Sequence, residues 1–586
     1  MKKLLSVWVM SLWGVLLTSF HAVEPVGLPR SSPTDFPSPA RLAAEHYFGP
    51  VVDINPATIV GNFGEPRRAH FHTGLDFRTN QEEGHAIFAA ADGYVSRINV
   101  SGAGYGHALY ITHPNGYVTV YGHLREFHPR LQQRLRQEQY ARESFAVDFY
   151  PNPSELLVKK GDTIALSGNT GGSGGPHLHF EIRDTLEQVY NPMLFGYQLK
   201  DDLKPVLGSL KFYPLDTLRH HSEGYRLRPV LKNGQYEMPA GTVQLNAQRI
   251  GFSVQAYDVM NRTEAHVGIY NLAVMDGNKL IYDARFNQLS FPEKRYVLSH
   301  VDYPIFLNEG RKSFHKCFVE PGNACGIYSH LLQAGEIDLS DGKVHALHIE
   351  VTDFNGNVSQ LKMKVQYAPG ATAFKPIPLR YTTRLDYDHD NTFSTTGFSA
   401  TFPQGCLLDN LYPLYSVAQP TDTTIYSAVH SFGLPMHHLF DWATVSLQAE
   451  KLPPSLTDKA VVMLNGTTCL GGTFEAGRVS ARTRELGRFT LQLDTTAPRA
   501  AALNIVPGRS MRAYKKLLFK ISDNRSGIAD FDTYVDGQWV VSDYDAKSAT
   551  VTYPLPTALP AGEHTFRIVV TDERKNKRDY SISFKL

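Results

Sequence analysis

The chain has 586 residues, more than a single hydrophobic core serves, so several domains are expected. Hydrophobic residues make up 42% and charged residues 20%, which excludes a disordered chain. Lys and Arg total 58 against 57 Asp and Glu, a net charge of +1, which leaves no electrostatic footprint for nucleic acid or an anionic membrane.

Lys2 and Lys3 followed by the uncharged apolar run Leu4 to Leu17 predict a secretory signal over residues 1–22, too short for a membrane span. The chain is then exported to the periplasm or cell surface, with no membrane contact beyond that segment. Residues 23–45, Pro- and Ser-rich, read as a linker. From 58 to 122 short alternating runs broken by Gly predict strands: Y-V-S-R-I-N-V, A-L-Y-I-T-H and Y-V-T-V-Y, the last two joined by the hairpin signal H-P-N-G-Y. Residues 125–143, which open the inserted stretch 125–156, differ. Phe127, Leu131 and Leu135 recur every fourth position among Arg, Gln and Glu, which predicts an amphipathic helix limited at its start by Pro129. Strands T-I-A-L-S and H-L-H-F-E-I-R follow, separated by G-N-T-G-G-S-G-G-P.

Beyond residue 200 no catalytic motif appears. I-G-F-S-V-Q-A-Y-D, H-A-L-H-I-E-V-T-D-F-N-G-N and T-F-R-I-V-V-T-D-E-R-K-N-K read as strands closing on Asp/Asn/Gly turns. That pattern predicts immunoglobulin-like β-sandwich modules over 201–370 and 495–586, with a further β-rich module over 371–494 and the linker D-T-T-A-P-R before the last. Cys317, Cys325, Cys406 and Cys469 could pair in an exported protein, and the short loop F-V-E-P-G-N-A favours a Cys317–Cys325 disulfide.

Three stretches carry the chemistry: His72-Thr73-Gly74-Leu75-Asp76, Tyr121-Gly122-His123-Leu124 and Pro176-His177-Leu178-His179-Phe180. Strand residues two or four apart share a face, so His72 converges with Asp76, and His177 with His179. Imidazole and carboxylate suit zinc, whose catalytic sites take three protein ligands and keep one position open. His72, Asp76 and one histidine of the H-L-H pair supply such a set. The other histidine of the pair and His123 are free to act on water or substrate. His70 lies beside this set, but only His72 has the H-x-G-x-D spacing. His85, His107 and His113 read as structural. The Gly168 to Gly175 loop lacks the G-K-[ST] ending of a phosphate loop.

These stretches resemble, in order, the H-x-x-x-D, Tyr/His-Leu and H-x-H motifs of the lysostaphin-type zinc metallopeptidases of peptidoglycan. The resemblance extends to F-G-E-P-R at 63–67, A-A-D-G-Y-V at 90–95, V-K-K-G-D-T-I-A at 158–165, S-G-N-T-G at 167–171 and N-P at 191–192. It implies an all-β multidomain chain: a lysostaphin-type antiparallel β-sheet peptidase domain over 46–200, followed by the β-sandwich modules. It also implies zinc held by His72, Asp76 and His179, with His123 and His177 as the catalytic histidines. The implied activity is cleavage of the stem and cross-link peptides of bacterial peptidoglycan. The helical stretch 125–156 departs from the pattern and is expected at the rim of the groove. Two other readings are an inactive wall-binding regulator of other hydrolases and a surface scaffold or adhesin with an accessory peptidase, since the β-sandwich modules offer surface to a protein partner.

Overall fold

Most of the strands expected between residues 58 and 183 join one antiparallel sheet, while Thr163–Leu166 pairs instead with Ala86–Phe88 and Glu126–Phe127 in a separate three-stranded sheet. The order of the larger sheet is Ile59–Gly61, Leu75–Arg78, His177–Arg183, Val118–Gly122, His107–Thr112, Gly93–Val100 and Val147–Phe149. The computed structural model describes residues 37–586 apart from 198, 217–218, 220–221, 264 and 507–508. The expected signal segment, residues 1–22, and the linker as far as residue 36 lie outside the described residues. The rest of that linker carries the short helix Pro39–Ala44, with the Ser38 side chain accepting from the Arg41 N–H at 3.3 Å.

Alternation explains why the sheet forms. Along His177–Arg183 one face carries Leu178, Phe180 and Ile182, all fully buried. Phe180 meets Tyr121 at 5.4 Å and Tyr197 at 5.3 Å between ring centroids. Burying each such side chain contributes about 1.5–3 kcal/mol. The other face carries His177, His179 and Glu181. At the expected hairpin, the His113 N–H donates to Tyr117 O at 2.9 Å, and Gly116 takes φ 88°, a conformation glycine adopts without strain.

The helix of the 125–156 stretch runs Pro129–Arg142, with Pro129 in its first turn and Leu131 and Leu135 buried. Phe127 is buried from the short strand Glu126–Phe127 that precedes it. The helix turns outward to the C-terminal module: Tyr140 packs edge-on to Trp539 at 5.5 Å, and Arg136 lies 3.7 Å from Asp543.

After residue 200 come three β-sandwiches. The first places strands such as Val206–Pro214 and Arg249–Val259 opposite a seven-stranded sheet containing His345–Thr352 and Val358–Tyr367. Its core also takes in Phe63, Phe71 and Val189 from before residue 200, and its strand Gln288–Ser290 pairs with Gln188–Tyr190. The second faces two five-stranded sheets across Phe398, Val445, Val462 and Phe489. The third faces two four-stranded sheets across Phe519, Val551 and Ile568. Among the described residues no helix is long and apolar enough to cross a membrane.

The expected disulfide is absent: all four cysteines are free. Cys317 and Cys325 are buried in the apolar core of the first sandwich. Burial pushes Cys325 up to about 12 and Cys317 well above its ordinary value, so both stay protonated core side chains. Close spacing in sequence does not aim two side chains at each other.

Candidate metal centre

Register brings the three motifs together. His179 stands opposite Asp76 on one neighbouring strand and Gly122 on the other, and His123 follows directly. Asp76 Oδ1 lies 3.0 Å from His72 Nε2 and 2.9 Å from His179 Nδ1, while those two nitrogens are 3.1 Å apart. All three residues are buried. Two glycines make room: a Cβ on Gly61 would sit 2.6 Å from Asp76 Oδ2, and one on Gly74 would sit 2.3 Å from Phe180 O.

The remaining atoms of these side chains are occupied, which fixes the atoms that face inward. His72 Nδ1 donates to Asn62 O at 2.8 Å, leaving the Nε2 lone pair free. His179 Nε2 lies 2.8 Å from Glu181 Oε1, so Nδ1 is its inward nitrogen. Asp76 Oδ2 accepts from Arg67 Nη2 at 3.1 Å. Two imidazole nitrogens and one carboxylate oxygen within 4.8 Å of one another fit a divalent metal such as zinc.

Electrostatics follow from burial and pairing. Burial alone would raise the Asp76 carboxyl, but its close pairing with His72 and the hydrogen bonds from His177 and His179 hold it well below its usual range. Burial would lower His179, yet hydrogen bonds to Asp76 and Glu181 lift it to about 9. A metal held at Nδ1 would displace that proton. His72 is lowered, chiefly by burial.

His123 and His177 flank this set, their ring centroids 4.8 Å apart. His123 Nδ1 donates to Thr170 O at 2.8 Å, and His177 Nδ1 to Gly175 O at 2.8 Å. In each ring Nε2 is left to face the site; that of His177 is 3.4 Å from Asp76 Oδ1. Burial, with the neighbouring His177 and His179, lowers His123 to about 3, so it is a neutral acceptor near pH 7. His123 takes φ 60°, a left-handed conformation that costs a non-glycine residue about 1–2 kcal/mol.

Residues 70–141 and 154–192 match the family described as Peptidase family M23. The chain carries a peptidase M23 domain. Residues 382–494 match a Zu5-like domain. An uncharacterized metalloprotease of Haemophilus influenzae is 36% identical over 111 residues, 19% of this chain and 18% of that protein. The DD-carboxypeptidase/endopeptidase Mpg of Neisseria meningitidis serogroup B (strain MC58) is 35% identical over 122 residues, 21% of this chain and 22% of that protein. The peptidoglycan DD-endopeptidase ShyC of Vibrio cholerae is 32% identical over 131 residues, 21% of this chain and 24% of that protein. The chain thus spans about a fifth of the length of the curated relatives it matches.

Of the histidines set aside in the sequence, His70 is exposed with Nδ1 against Arg68 O, and His85 pairs with Asp53. His107 contacts Arg125 O, and His113 contacts Asp92 O and Thr119. None of these joins the cluster of metal-ligating atoms. Sequence reasoning passed over Glu181, Tyr105 and Arg183, and assigned no role to Arg67. Glu181 Oε1 also accepts from Tyr105 at 2.7 Å and from Thr73, while Oε2 accepts from Arg183 Nε at 2.6 Å. Its place two residues after His179 on the same strand face was the available signal. Lys547 of the C-terminal module donates to Asn169 O, beside the Thr170 carbonyl that holds His123 in the M23 domain.

Proposed function

We propose that this chain is an exported, zinc-dependent endopeptidase that hydrolyses the peptide cross-links of bacterial peptidoglycan, acting in the periplasm or at the cell surface. The observation that carries this reading is the convergence of His72, Asp76 and His179 within hydrogen-bonding distance of one another, with His123 and His177 alongside. The names of the relatives, a peptidoglycan DD-endopeptidase among them, point to the substrate class.

In this mechanism His72 Nε2, Asp76 Oδ1 and His179 Nδ1 would hold the metal. Zinc in that position supplies Lewis acidity, polarising a carbonyl and drawing the pKa of water towards about 7. His123 Nε2, kept neutral by burial and oriented by Thr170, accepts the proton of the attacking water. His177, oriented through Gly175 and Ser173, faces the same space and stabilises the oxyanion before the leaving amine is protonated. Arg67 and Glu181 position the ligands from behind.

Zinc per chain by elemental analysis, together with mass spectrometry of fragments released from purified peptidoglycan, tests the reading. Near one zinc per chain and fragments cut within cross-linked stem peptides are expected. A chain that holds no zinc, or that leaves cross-links intact while zinc is bound, overturns it.

A further inference from the structure

The strand–Asp–turn motifs outside the M23 domain converge on two acidic pockets, the first buried throughout and the second with Asp523 half-buried. In the first, Asp201, Asp258 and Asp353 each present one carboxylate oxygen, all within 4.8 Å of one another. Asp201 lies in the segment entering the first sandwich, Asp258 near the end of Arg249–Val259, and Asp353 just after His345–Thr352. The three are 6%, 3% and 3% exposed. In the second, Asp494, Asp523 and Asp572 meet within the same limit. Asp494 lies in the segment entering the last sandwich, Asp523 follows Lys516–Ser522, and Asp572 ends Glu563–Asp572.

The two pockets repeat one another in detail. The Asn357 side-chain amide donates to Asp353 Oδ2 at 2.7 Å and to the backbone carbonyl of Asp201 at 3.1 Å. The Asn576 side-chain amide donates to Asp572 Oδ2 at 2.8 Å and to the backbone carbonyl of Asp494 at 2.9 Å. In each, the backbone N–H of that Asn donates to Oδ1 of the Asp four residues earlier, at 2.8 Å. One D-x-x-x-N turn thus grips one incoming segment, twice.

What the pockets leave unsatisfied identifies their ligand. Asp201 Oδ2, Asp258 Oδ1, Asp494 Oδ1 and Asp523 Oδ1 are buried with no hydrogen-bond donor. Isolated buried carboxylate oxygens are costly, and three together repel. Burial, then repulsion from Asp353 and Asp201, pushes Asp258 up to about 8. A cation between the oxygens would relieve both effects. The candidate donors are oxygens alone, with no imidazole or thiolate, which selects a hard cation over zinc. Several carboxylates converging on one point suit calcium better than magnesium, which keeps its own waters.

We propose that both three-aspartate pockets bind calcium, and that each bound ion fixes the incoming segment to the sandwich that follows it. The zinc-loaded full chain, dialysed into calcium-free buffer with zinc maintained, is titrated with radioactive calcium to about 1 mM, the range of extracellular calcium modules. Two calcium ions per chain are expected. Asp258→Asn should lose one, Asp523→Asn the other, and the double variant both. Both altered oxygens lack donors, so Asn breaks no hydrogen bond at them. In calcium-free buffer Asp258→Asn should therefore unfold no lower than the unaltered chain. Its thermal midpoint should rise less on adding calcium, as ligand linkage requires. No calcium bound to the unaltered chain, two ions retained by both single variants, or displacement of calcium by equimolar magnesium would each overturn the proposal. The stoichiometry of the unaltered chain decides the matter even where a variant does not fold.

Discussion

Replacing Glu181 by Gln removes a charge from behind the proposed zinc site while keeping its shape. Glu181 is fully buried, and its two oxygens serve opposite sides. Oε1 faces His179, Tyr105 and Thr73, and Oε2 faces Arg183. A glutamine has one acceptor oxygen, so it cannot serve both sides. Kept towards His179, the oxygen still orients the ring but lacks the charge that raises the ring's basicity; turned away, it presents an N–H to a donor. Loss of such an outer partner costs about 10–100-fold in metal affinity or activity. In metal affinity that is about 1.4–2.8 kcal/mol. The assay is chelator competition for zinc, paired with peptidoglycan hydrolysis at limiting and saturating zinc. Weaker zinc binding, with activity restored at saturation, is expected. Unchanged zinc affinity, or activity that stays low with zinc fully bound, refutes a positioning role. Glu181→Ala is the harsher variant, because it takes from the buried Arg183 its buried acidic partner and leaves it the exposed Glu187, and breaking a buried ion pair costs about 3–5 kcal/mol.

Further tests separate the other roles. His179→Ala should lose zinc and activity together, whereas His177→Ala should keep zinc and lose about 10²–10⁴-fold in rate; elemental analysis beside hydrolysis reveals whether the pair is inverted. Tyr140→Ala and Trp539→Ala should be non-additive in a double-mutant cycle of chemical unfolding, by about 0.5–1.5 kcal/mol, if the inserted helix docks the C-terminal module; additive losses would remove that role. His113 is buried and lowered to about 4, below the ordinary 6.5 it regains on unfolding, so the unfolded chain takes the proton first as pH falls. The stability from its neutral form is present above about 6.5 and lost towards about 4. The drop in thermal midpoint between pH 7 and pH 5 should shrink in His113→Gln; an unchanged drop refutes it.

The strand His177–Arg183 is legible because apolar and polar residues alternate along it, although both of its faces are buried, and the same period of two places His177 and His179 on one face. The pairing of His179 with Asp76 is a matter of register between strands about a hundred residues apart, which no local pattern encodes; here the ordered motifs of a resembling family supplied it. Glu181 obeys the same alternation, yet a strand glutamate ordinarily reads as solvent-facing, and only the buried Arg183 beside it reveals otherwise. Tyr105 reaches Glu181 from a loop, where no periodicity exists to read. The inserted helix shows both sides of this limit. Leu131 and Leu135 announce its buried face, while its outer contact, Trp539, lies in another module.

The turn aspartates carry the argument furthest. Asp258, Asp353 and Asp572 close strands, and in sequence that is punctuation, since an Asp side chain caps the backbone it has just left. Asp353 and Asp572 do satisfy turn N–H groups. Beside each pair of carboxylates, however, a third arrives from the incoming segment, Asp201 or Asp494, with an oxygen that no donor meets. A capping aspartate and a ligand aspartate are written with the same letter. What separates them is whether every buried oxygen finds a proton, and that depends on neighbours brought in from about sixty to a hundred and fifty residues away in the first pocket.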